Sequence, residues 1–166
     1  NIGRRMAVLF AEEGANVAIC TSRNMDGLDA TASEIERTGA KVLARQVDVT
    51  DPEAVDGFVG AAHKEFGRVD VVVNNAVYRS EGDLLEEPVD AWMRNIAVNL
   101  HGPYYMCKAA VPHMIDAKWG RIVNFSGIAP FLGSYPGKSM VKLGIVGFTR
   151  GLAKQYGEHG ITANCI

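Results

Sequence analysis

Apolar residues in this chain recur at helical spacing in some segments and form short unbroken runs in others. Ile2, Met6 and Phe10 share one helical face before Gly14, where a helix would stop. Residues 69–73 read VDVVV, a run rich in β-branched side chains. Runs of this kind are typical of strands covered on both faces of a parallel sheet. The pattern therefore predicts helices that alternate with buried strands.

The alternation continues along the whole chain. The predicted strands cover residues 17–20, 41–49, 69–73, 120–126 and 161–166. Two helices are predicted to end at Gly14 and Gly39, and a third to start at the capping pair Asp51-Pro52. A loop is predicted over 77–88. Two further helices are predicted over 89–117, with a bend near Gly102-Pro103, and over 139–156. This order predicts one α/β domain over residues 1–166, with a doubly wound parallel sheet and helices on both faces. An all-helical or an α+β fold is the alternative.

Composition and charge narrow the classes of partner. The 166 residues are 48% hydrophobic and 22% charged, as in ordinary soluble domains, and the net charge is −2. Basic residues do not cluster and no apolar run reaches the roughly 18 residues that span a bilayer, so neither nucleic acid nor a membrane is an expected partner. Cys20, Cys107 and Cys165 are expected to be free thiols in a reducing, cytoplasmic compartment, with a metal or redox role as the alternative. The histidines lack metal-ligand spacing, and no metal site is expected.

Six short motifs follow one another in the order and at the spacings of a known family. They are Asn1-Ile2-Gly3-Arg4 at the start of a helix, Asp48-Val49, Asn74-Asn75-Ala76-Val77, Val98-Asn99, Val123-Asn124-Phe125-Ser126, and the helix around Lys142. With these motifs, the chain resembles the short-chain dehydrogenase/reductase family over nearly its whole length. The resemblance implies a Rossmann-like fold that binds NAD or NADP at the carboxyl ends of its strands. It also implies hydride transfer between the nicotinamide and a small carbonyl or alcohol substrate.

The family's first strand and most of its glycine-rich turn have no counterpart here. Gly3 matches the last glycine of that turn, and Asn1 stands where the preceding glycine is usual. By resemblance, the first strand would lie between the strands at 17–20 and 69–73. Its absence would leave two central strand edges unpaired. We therefore expect the chain to be a piece of a longer protein that lacks the first strand and the C-terminal region.

The resemblance assigns cofactor contacts to residues spread over the chain. They are Ile2, Gly3, Ser22, Arg23, Asp48, Val49, Asn74, Ala76 and Lys142. At the start of the first helix, free N–H groups would face the pyrophosphate, and Gly3 would permit close approach. By the same resemblance, Asp48 and Val49 contact the adenine, and Asn74 and Ala76 lie beside the adenosine ribose. A packing role for Gly3, a turn-capping role for Asp48 and a strand-linking role for Asn74 are the alternatives.

The residues that follow the predicted strand at 17–20 bear on the choice between NAD and NADP. An acid at that strand end accepts hydrogen bonds from the NAD ribose, whereas an arginine can pair with the NADP phosphate. Here the strand is followed by Ser22 and Arg23, and the first acid is Asp26. We therefore predict NADP in preference to NAD, with a solvated surface arginine as the alternative.

At the four positions where the family has its catalytic residues, this chain matches the family at two and departs from it at two. Asn99 matches the asparagine that helps to hold a water relay, and Lys142 matches the lysine that lowers the pKa of a tyrosine phenol. The tyrosine expected four residues before Lys142 is replaced by Lys138, and the expected serine is replaced by Gly127. A local structural amide and a solvated lysine are the alternatives for Asn99 and Lys142.

Two nearby residues are candidates for the missing groups. Ser126 lies one position before the usual serine, although a shift of one residue near a strand end tends to reverse the direction of a side chain. Tyr135 is the nearest phenol, three residues before Lys138. A lysine with a lowered pKa, Lys138 itself, is a further candidate for the acid. The predicted catalytic set is Asn99, Ser126, Tyr135 and Lys142.

These residues predict an NAD(P)-dependent oxidoreductase with an atypical active site. A catalytically inactive nucleotide-binding or scaffolding protein on the same fold is the alternative, and an epimerase or a methyltransferase on a related sheet is a third reading. The resemblance also implies a homodimer or homotetramer that shares the helices at 89–117 and 139–156.

Overall fold

A computed structural model describes residues 1–79, 83–133 and 135–166 of the chain. Within these ranges the helices are α1 (Ile2–Glu12), α2 (Met25–Glu36), α3 (Pro52–Phe66), α4 (Val89–Ile96), α5 (Gly102–Ala117), α6 (Ala129–Leu132) and α7 (Pro136–Tyr156). The strands are β1 (Val17–Thr21), β2 (Val42–Gln46), β3 (Val71–Asn74), β4 (Gly120–Asn124) and β5 (Ile161–Cys165). A π-helical segment (Ala97–His101) joins α4 to α5, and a 3₁₀ turn (Gly157–His159) follows α7. The predicted loop at 77–88 includes residues 80–82, which lie outside the described ranges.

The strands form two parallel sheets. β1 pairs with β2, and β3, β4 and β5 pair in that order. Helices connect the strands, so the predicted α/β class with a Rossmann-like parallel arrangement is confirmed. β1 and β3 each lie at the end of their own sheet, in agreement with the expectation that the strand between them has no counterpart in this chain.

The main hydrophobic core lies around the three-stranded sheet. Val72, Ile122 and Ile161 come from its three strands and are buried with Met114 of α5 and Leu152 of α7. β4 lies in the middle, and Ile122 is fully buried there. The core therefore fixes two helices against the sheet: α7, which carries Lys142, and α5, which follows the segment that contains Asn99.

The ends of α3 show why the local sequence folds as predicted. The Asp51 side chain accepts hydrogen bonds from the N–H groups of Glu53 and Ala54, and Pro52 occupies the first turn. Gly67 ends the helix with a φ of 78°, a left-handed conformation that glycine adopts without a steric penalty. Cap, proline and terminal glycine all lie within the helix and its immediate neighbours in sequence.

Several predicted boundaries were wrong by a few residues. The strands predicted at 41–49 and 120–126 are shorter in the structure, where β2 and β4 end at Gln46 and Asn124. After β2 the chain turns, because Asp48 accepts a hydrogen bond from the N–H of Thr50 and extended pairing cannot continue. α7 starts at Pro136, three residues before the predicted start, since proline is favourable in the first turn of a helix. α6 and the 3₁₀ turn were not predicted.

The bend predicted near Gly102-Pro103 begins earlier, at Ala97. The chain forms a π-helical segment from Ala97 to His101 before α5 starts at Gly102. Pro103 has no N–H to donate to the carbonyl of Asn99 four residues before it, so the ordinary helical bond at that turn is impossible. The distortion is therefore centred on Asn99, and single π turns are frequent at functional sites.

Candidate functional site

Most of the predicted site residues lie at the carboxyl ends of the strands. They are Ser22 and Arg23 after β1, Asp48 and Val49 after β2, Asn74 and Ala76 at the end of β3, and Ser126 after β4. Close packing connects the two sheets at this edge. A Cβ atom built on Gly102 would lie 3.0 Å from Val49 Cγ2, and one built on Gly3 would lie 2.5 Å from Asn75 Nδ2. A larger residue at either position would require the neighbouring side chain to shift, so glycine suits both places where α5 and α1 approach the strand ends.

Three of the predicted cofactor residues line one small cleft. Val49, Asn74 and Ala76 meet there, together with Val98 and the start of α5. The sequence separates these residues by up to 27 positions, and the packing of the start of α5 against Val49 helps to bring them together. The cleft confirms that they are neighbours, and their contacts with a cofactor stay a prediction.

Asp48 is held as an ionised carboxylate. Its Oδ1 accepts hydrogen bonds from the N–H of Thr50 at 3.0 Å and from the Thr50 hydroxyl at 2.8 Å, and its Oδ2 accepts one from Arg94 Nη2 at 3.0 Å. Burial by itself raises the pKa of Asp48, but the hydrogen bonds from Thr50 and Arg94 outweigh it and hold the pKa below its ordinary value. Arg94 was missed by sequence reasoning, because it lies 46 residues away and no local pattern connects the two.

The side chain of Asn74 links strands, as one of the two readings of the sequence proposed. Its Nδ2 donates a hydrogen bond to Asn124 Oδ1 at 2.8 Å, and Asn124 Nδ2 donates one to Thr149 Oγ1 at 2.9 Å. β3, β4 and α7 are thereby tied together through the partly buried amide of Asn74 and the fully buried amide of Asn124. The carboxamide of Asn74 therefore points towards β4.

The start of α1 and the end of β1 both carry polar groups at the edge where the strands end. Ile2 and Gly3 form the first turn of α1, where the side chain of Asn1 accepts a hydrogen bond from the N–H of Arg4. After β1, the carbonyl of Ser22 accepts a hydrogen bond from Gln46 Nε2 at 3.0 Å. Arg23 follows with an exposed side chain. An exposed guanidinium at a strand end is available to an anionic ligand.

Ser126 and Lys142 are in direct contact. The Ser126 hydroxyl donates to the main-chain carbonyl of Lys142 at 2.9 Å, and Lys142 Nζ donates to the carbonyl of Phe125 at 2.8 Å. Partial burial lowers the pKa of Lys142, with Cys165 acting in the opposite direction and the positive charges of Lys138 and Arg79 lowering it further. The structure therefore brings two of the predicted catalytic residues together, with the Ser126 hydroxyl turned towards α7.

Tyr135 lies at the N-terminal end of α7 in an unusual backbone conformation. Its φ is 45°, in the left-handed region that non-glycine residues rarely adopt. Its side chain is 45% exposed, and Lys138 Nζ lies 5.6 Å from the centre of its ring. The ring of Tyr135 is thus partly exposed to solvent, with the ammonium of Lys138 over its face.

Asn99 is anchored by its own side chain. Its Nδ2 donates to the carbonyl of Tyr78 at 2.8 Å, to the carbonyl of Asn95 at 3.0 Å and to Asn95 Oδ1 at 2.7 Å. The π-helical segment around it packs on α7, where a Cβ atom on Gly144 would lie 3.3 Å from Leu100 Cδ2. Asn95 was not singled out from the sequence, although its spacing of four residues from Asn99 on a helix was the available signal.

Neither a metal cluster nor a membrane span is found in the part of the chain that the structure describes. No group of three or more histidine, cysteine, aspartate or glutamate side chains there could hold a metal ion. None of its described helices is both long and apolar enough to cross a bilayer.

Comparison with known proteins identifies the family. The sequence profile of the short chain dehydrogenases matches residues 1–166, the whole of the chain. The protein belongs to the short chain dehydrogenase family.

Similar short chain dehydrogenases include two curated relatives. A 3-oxoacyl-(acyl-carrier-protein) reductase of Chlamydia muridarum is 39% identical over 168 positions, which cover 99% of this chain and 67% of the relative. The hydroxy(phenyl)methylsuccinyl-CoA dehydrogenase subunit BbsD of Thauera aromatica is 38% identical over 166 residues, covering 99% of this chain and 66% of that subunit. The chain thus spans about two thirds of the length of these relatives.

Solved structures of short chain dehydrogenases share the fold. A xylitol dehydrogenase with NAD⁺ bound superposes with a TM-score of 0.93 at 29% identity, covering 99% of this chain and 64% of that one. A short-chain dehydrogenase/reductase of Serratia marcescens superposes with a TM-score of 0.90 at 34% identity. The superposition covers 99% of this chain and 67% of that one.

One departure of this short chain dehydrogenase from the family pattern has a local structural cause. Gly127 stands where the family resemblance would place a serine, and its φ is 123°. That conformation favours glycine, so a serine at position 127 would be strained. Glycine therefore suits the path of the loop after β4 at this position, and Ser126 is the hydroxyl residue that precedes it in sequence.

Proposed function

We propose that the protein is an NADP- or NAD-dependent oxidoreductase that acts on a small carbonyl or alcohol substrate. The observation that carries the proposal is Lys142, a half-buried lysine with a lowered pKa that contacts Ser126 at the carboxyl end of β4. Burial of a cation beside a hydroxyl at a strand end is unfavourable for stability, and its presence there favours a catalytic role. Membership of the short chain dehydrogenases points in the same direction.

The residues present fit a dinucleotide. Ile2 and Gly3 would hold the pyrophosphate. Gly3 has no side chain to block the approach of the ligand, and the main-chain N–H groups of the first turn of α1 point outwards from the helix end. Asp48, Val49 and Ala76 would hold the adenosine in and beside the small cleft. When bound, the nicotinamide supplies or accepts the hydride.

The protein's own groups would move the proton. Reduction of a carbonyl needs a proton on the oxygen as well as a hydride on the carbon, and the phenol of Tyr135 is the proposed donor. A nearby ammonium lowers the cost of the phenolate that remains, and Lys142 and Lys138 are the proposed sources of that charge. Asn99 would hold the loop after β3 against the helix through the carbonyl of Tyr78. Ser126 would fix the position of α7 at Lys142.

A turnover screen of the full-length protein tests the activity. NADPH or NADH would be supplied with a panel of small ketones, aldehydes and acyl thioesters, and oxidation of the cofactor would be followed by its absorbance. Acyl thioesters belong in the panel because the two curated relatives are named for them. Cofactor binding without turnover across the panel would favour the catalytically inactive reading.

We further propose that Arg23 makes the protein prefer NADP. A charge-assisted contact with the 2′-phosphate adds about 10- to 100-fold in affinity, so NADPH is expected to bind at least about tenfold more tightly than NADH. Replacing Arg23 with Ala should remove that preference and leave NADH affinity unchanged, as measured by fluorescence titration. Arg37→Ala, an exposed arginine at the other end of α2, is the matched control. Tighter binding of NADH by the wild type would overturn the proposal.

An apolar groove between α5 and α7 supports a homodimer or homotetramer. Its lining residues include Tyr104, Pro112, Phe148 and Tyr156, and Gly151 lines it from α7. Gly151→Glu would place a charge there without a clash in the monomer, because a Cβ at this position meets open space. We expect this variant to lower the mass measured by light scattering to that of the monomer, whereas the exposed Ala153→Glu on the same helix should not. Retention of the wild-type mass by Gly151→Glu would exclude the groove as the interface.

A further inference from the structure

Asn95 carries a buried donor that has no partner in the protein. Its side chain is 3% exposed, and its Nδ2 is the one buried side-chain nitrogen or oxygen without a hydrogen bond among the residues the structure describes. The residue lies in the last turn of α4, one helical turn before Asn99 and two residues before the start of the π-helical segment. A buried amide of this kind is a feature that the fold must account for.

The neighbours of Asn99 determine which atom of Asn95 is the nitrogen. Asn99 Nδ2 faces the carbonyls of Tyr78 and Asn95, which can only accept hydrogen bonds. The Asn95 atom that lies 2.7 Å from the same nitrogen must therefore be an acceptor, Oδ1. Rotating the Asn95 amide by half a turn would place two donors against each other. The remaining atom of Asn95 is consequently the nitrogen, and its burial without a partner is not an artefact of amide orientation.

A buried N–H group without an acceptor is costly. Leaving such a donor unpaired forfeits its hydration, whereas one buried water molecule would satisfy it and is a common solution in protein interiors. A water is also the smallest acceptor that could reach a side chain that is almost completely enclosed. The chemistry of the site therefore calls for a neutral hydrogen-bond acceptor of that size.

We propose that Asn95 is a positioning residue of the active site: its Oδ1 fixes the amide of Asn99, and its Nδ2 holds one buried water molecule. The catalytic half of this inference rests on the proposed oxidoreductase function. The two amides form a pair on one helical face, and the second amide clamps the loop after β3 through Tyr78. Arg94, the preceding residue, connects the same turn of α4 to Asp48 on the cofactor side.

The location explains why a second amide is useful here. Regular α-helical bonding is interrupted around Asn99, since Pro103 cannot donate to its carbonyl. The Asn99 side chain therefore lies in a widened turn, and hydrogen bonds rather than helix geometry must hold its orientation. Asn95 Oδ1 is the side-chain acceptor in that arrangement, next to two main-chain carbonyls. Loss of this acceptor should loosen Asn99 while the rest of α4 keeps its contacts.

The water is tested by a crystal structure of the full-length protein at a resolution that shows ordered solvent. We expect a water oxygen at about 2.7–3.2 Å from Asn95 Nδ2. A protein atom in that position, or an empty volume, would overturn the water half of the proposal. In crystals of Asn95→Leu, we expect the amide of Asn99 to have turned away from the Tyr78 carbonyl. An unchanged Asn99 would overturn the positioning half, and neither result depends on enzymatic activity.

Kinetics provide the readout that a purely structural role would not change. Asn95→Leu keeps the branched shape of the side chain but has no acceptor, and we expect kcat to fall about tenfold with KM changed by less than about twofold. Asn95→Asp keeps an acceptor towards Asn99 and should retain kcat within about threefold at neutral pH. Met93→Leu, on the exposed face of the same helix, is the control, and its kcat and KM should be unchanged.

Wild-type kcat in Asn95→Leu would contradict the positioning role. Absence of turnover in the wild type would refute the proposed oxidoreductase instead, and the two crystal structures would still decide on Asn95.

Discussion

Replacing Lys142 with Met is expected to lower kcat/KM by about 10²- to 10⁴-fold, the range that general acid–base groups contribute. Lys142 is half-buried at the end of β4, and its Nζ donates to the carbonyl of Phe125 beside Ser126. A methionine fills similar space without the charge, so the proposed proton donor would lose one of the two ammonium charges that we propose stabilise its ionised form. Initial rates of the full-length enzyme under saturating cofactor would measure the effect.

The control for this variant is Lys154→Met, which removes an exposed lysine from the same helix. We expect its kcat/KM to stay within about twofold of the wild type, because a solvated charge is screened and distant from the strand ends. If Lys142→Met kept more than a tenth of the wild-type activity, Lys142 would have no part in the chemistry. The proposed mechanism would then lose its central residue.

The pH dependence of stability offers a second readout on the same variant. The pKa of Lys142 in the folded protein is lower than the ordinary value of 10.5, mainly because of burial. Between these two pKa values the unfolded chain binds more protons than the folded chain, so the free energy of unfolding rises with pH in that window. Lys142→Met should lack this contribution, and denaturant unfolding of both proteins across that pH range would show a smaller rise for the variant.

Replacing Tyr135 with Phe is expected to lower kcat by about 10²- to 10⁴-fold. The change removes a single oxygen and preserves the ring that lies near Lys138 Nζ. The unusual φ of Tyr135 is unaffected, since phenylalanine and tyrosine have the same backbone preferences. A loss of rate would therefore report on the phenolic proton rather than on the fold. Steady-state rates with the best carbonyl substrate from the screen would provide the measurement.

Tyr104→Phe is a matched control, because Tyr104 is similarly exposed, at 50% against 45%, but lies in the α5 groove. Its kcat should not change. Should Tyr135→Phe retain full activity while Lys138→Met loses it, the proton donor would be Lys138, the alternative that the sequence left open. Full activity in both variants would exclude the two groups that we consider able to replace the missing tyrosine.

Much of the fold was predictable from local sequence. The cap at Asp51, the proline at position 52 and the terminal Gly67 specify α3 through contacts within one turn of the helix. The β-branched run that contains Val72 indicated a buried strand, and that residue lies in the main core. Boundaries were less predictable, because the end of a strand such as β2 depends on where a turn like the one at Asp48 competes with pairing.

The sequence predicted which residues belong to the candidate site better than it predicted what each of them contacts there. Lys142 and Asn99 were found by resemblance; Lys142 contacts Phe125 directly after β4, and Asn99 contacts Tyr78 in the loop after β3. The direction of the Ser126 hydroxyl towards the Lys142 carbonyl was not predictable, since it depends on how α7 packs over the end of β4. The same holds for Gly127, whose φ shows only in the folded loop why serine is unsuitable there.

From the sequence alone follow the α/β class, the order of the elements, the family and the set of residues available for chemistry. These depend on periodicity and on capping groups that interact within four or five positions. The partners of the polar side chains came only from the three-dimensional arrangement: Arg94 with Asp48, Asn74 with Asn124, and Asn95 with an unpaired Nδ2 beside Asn99. A hydrogen bond forms only where two groups come within about 3 Å, and for residues tens of positions apart that distance depends on the packing of the whole chain.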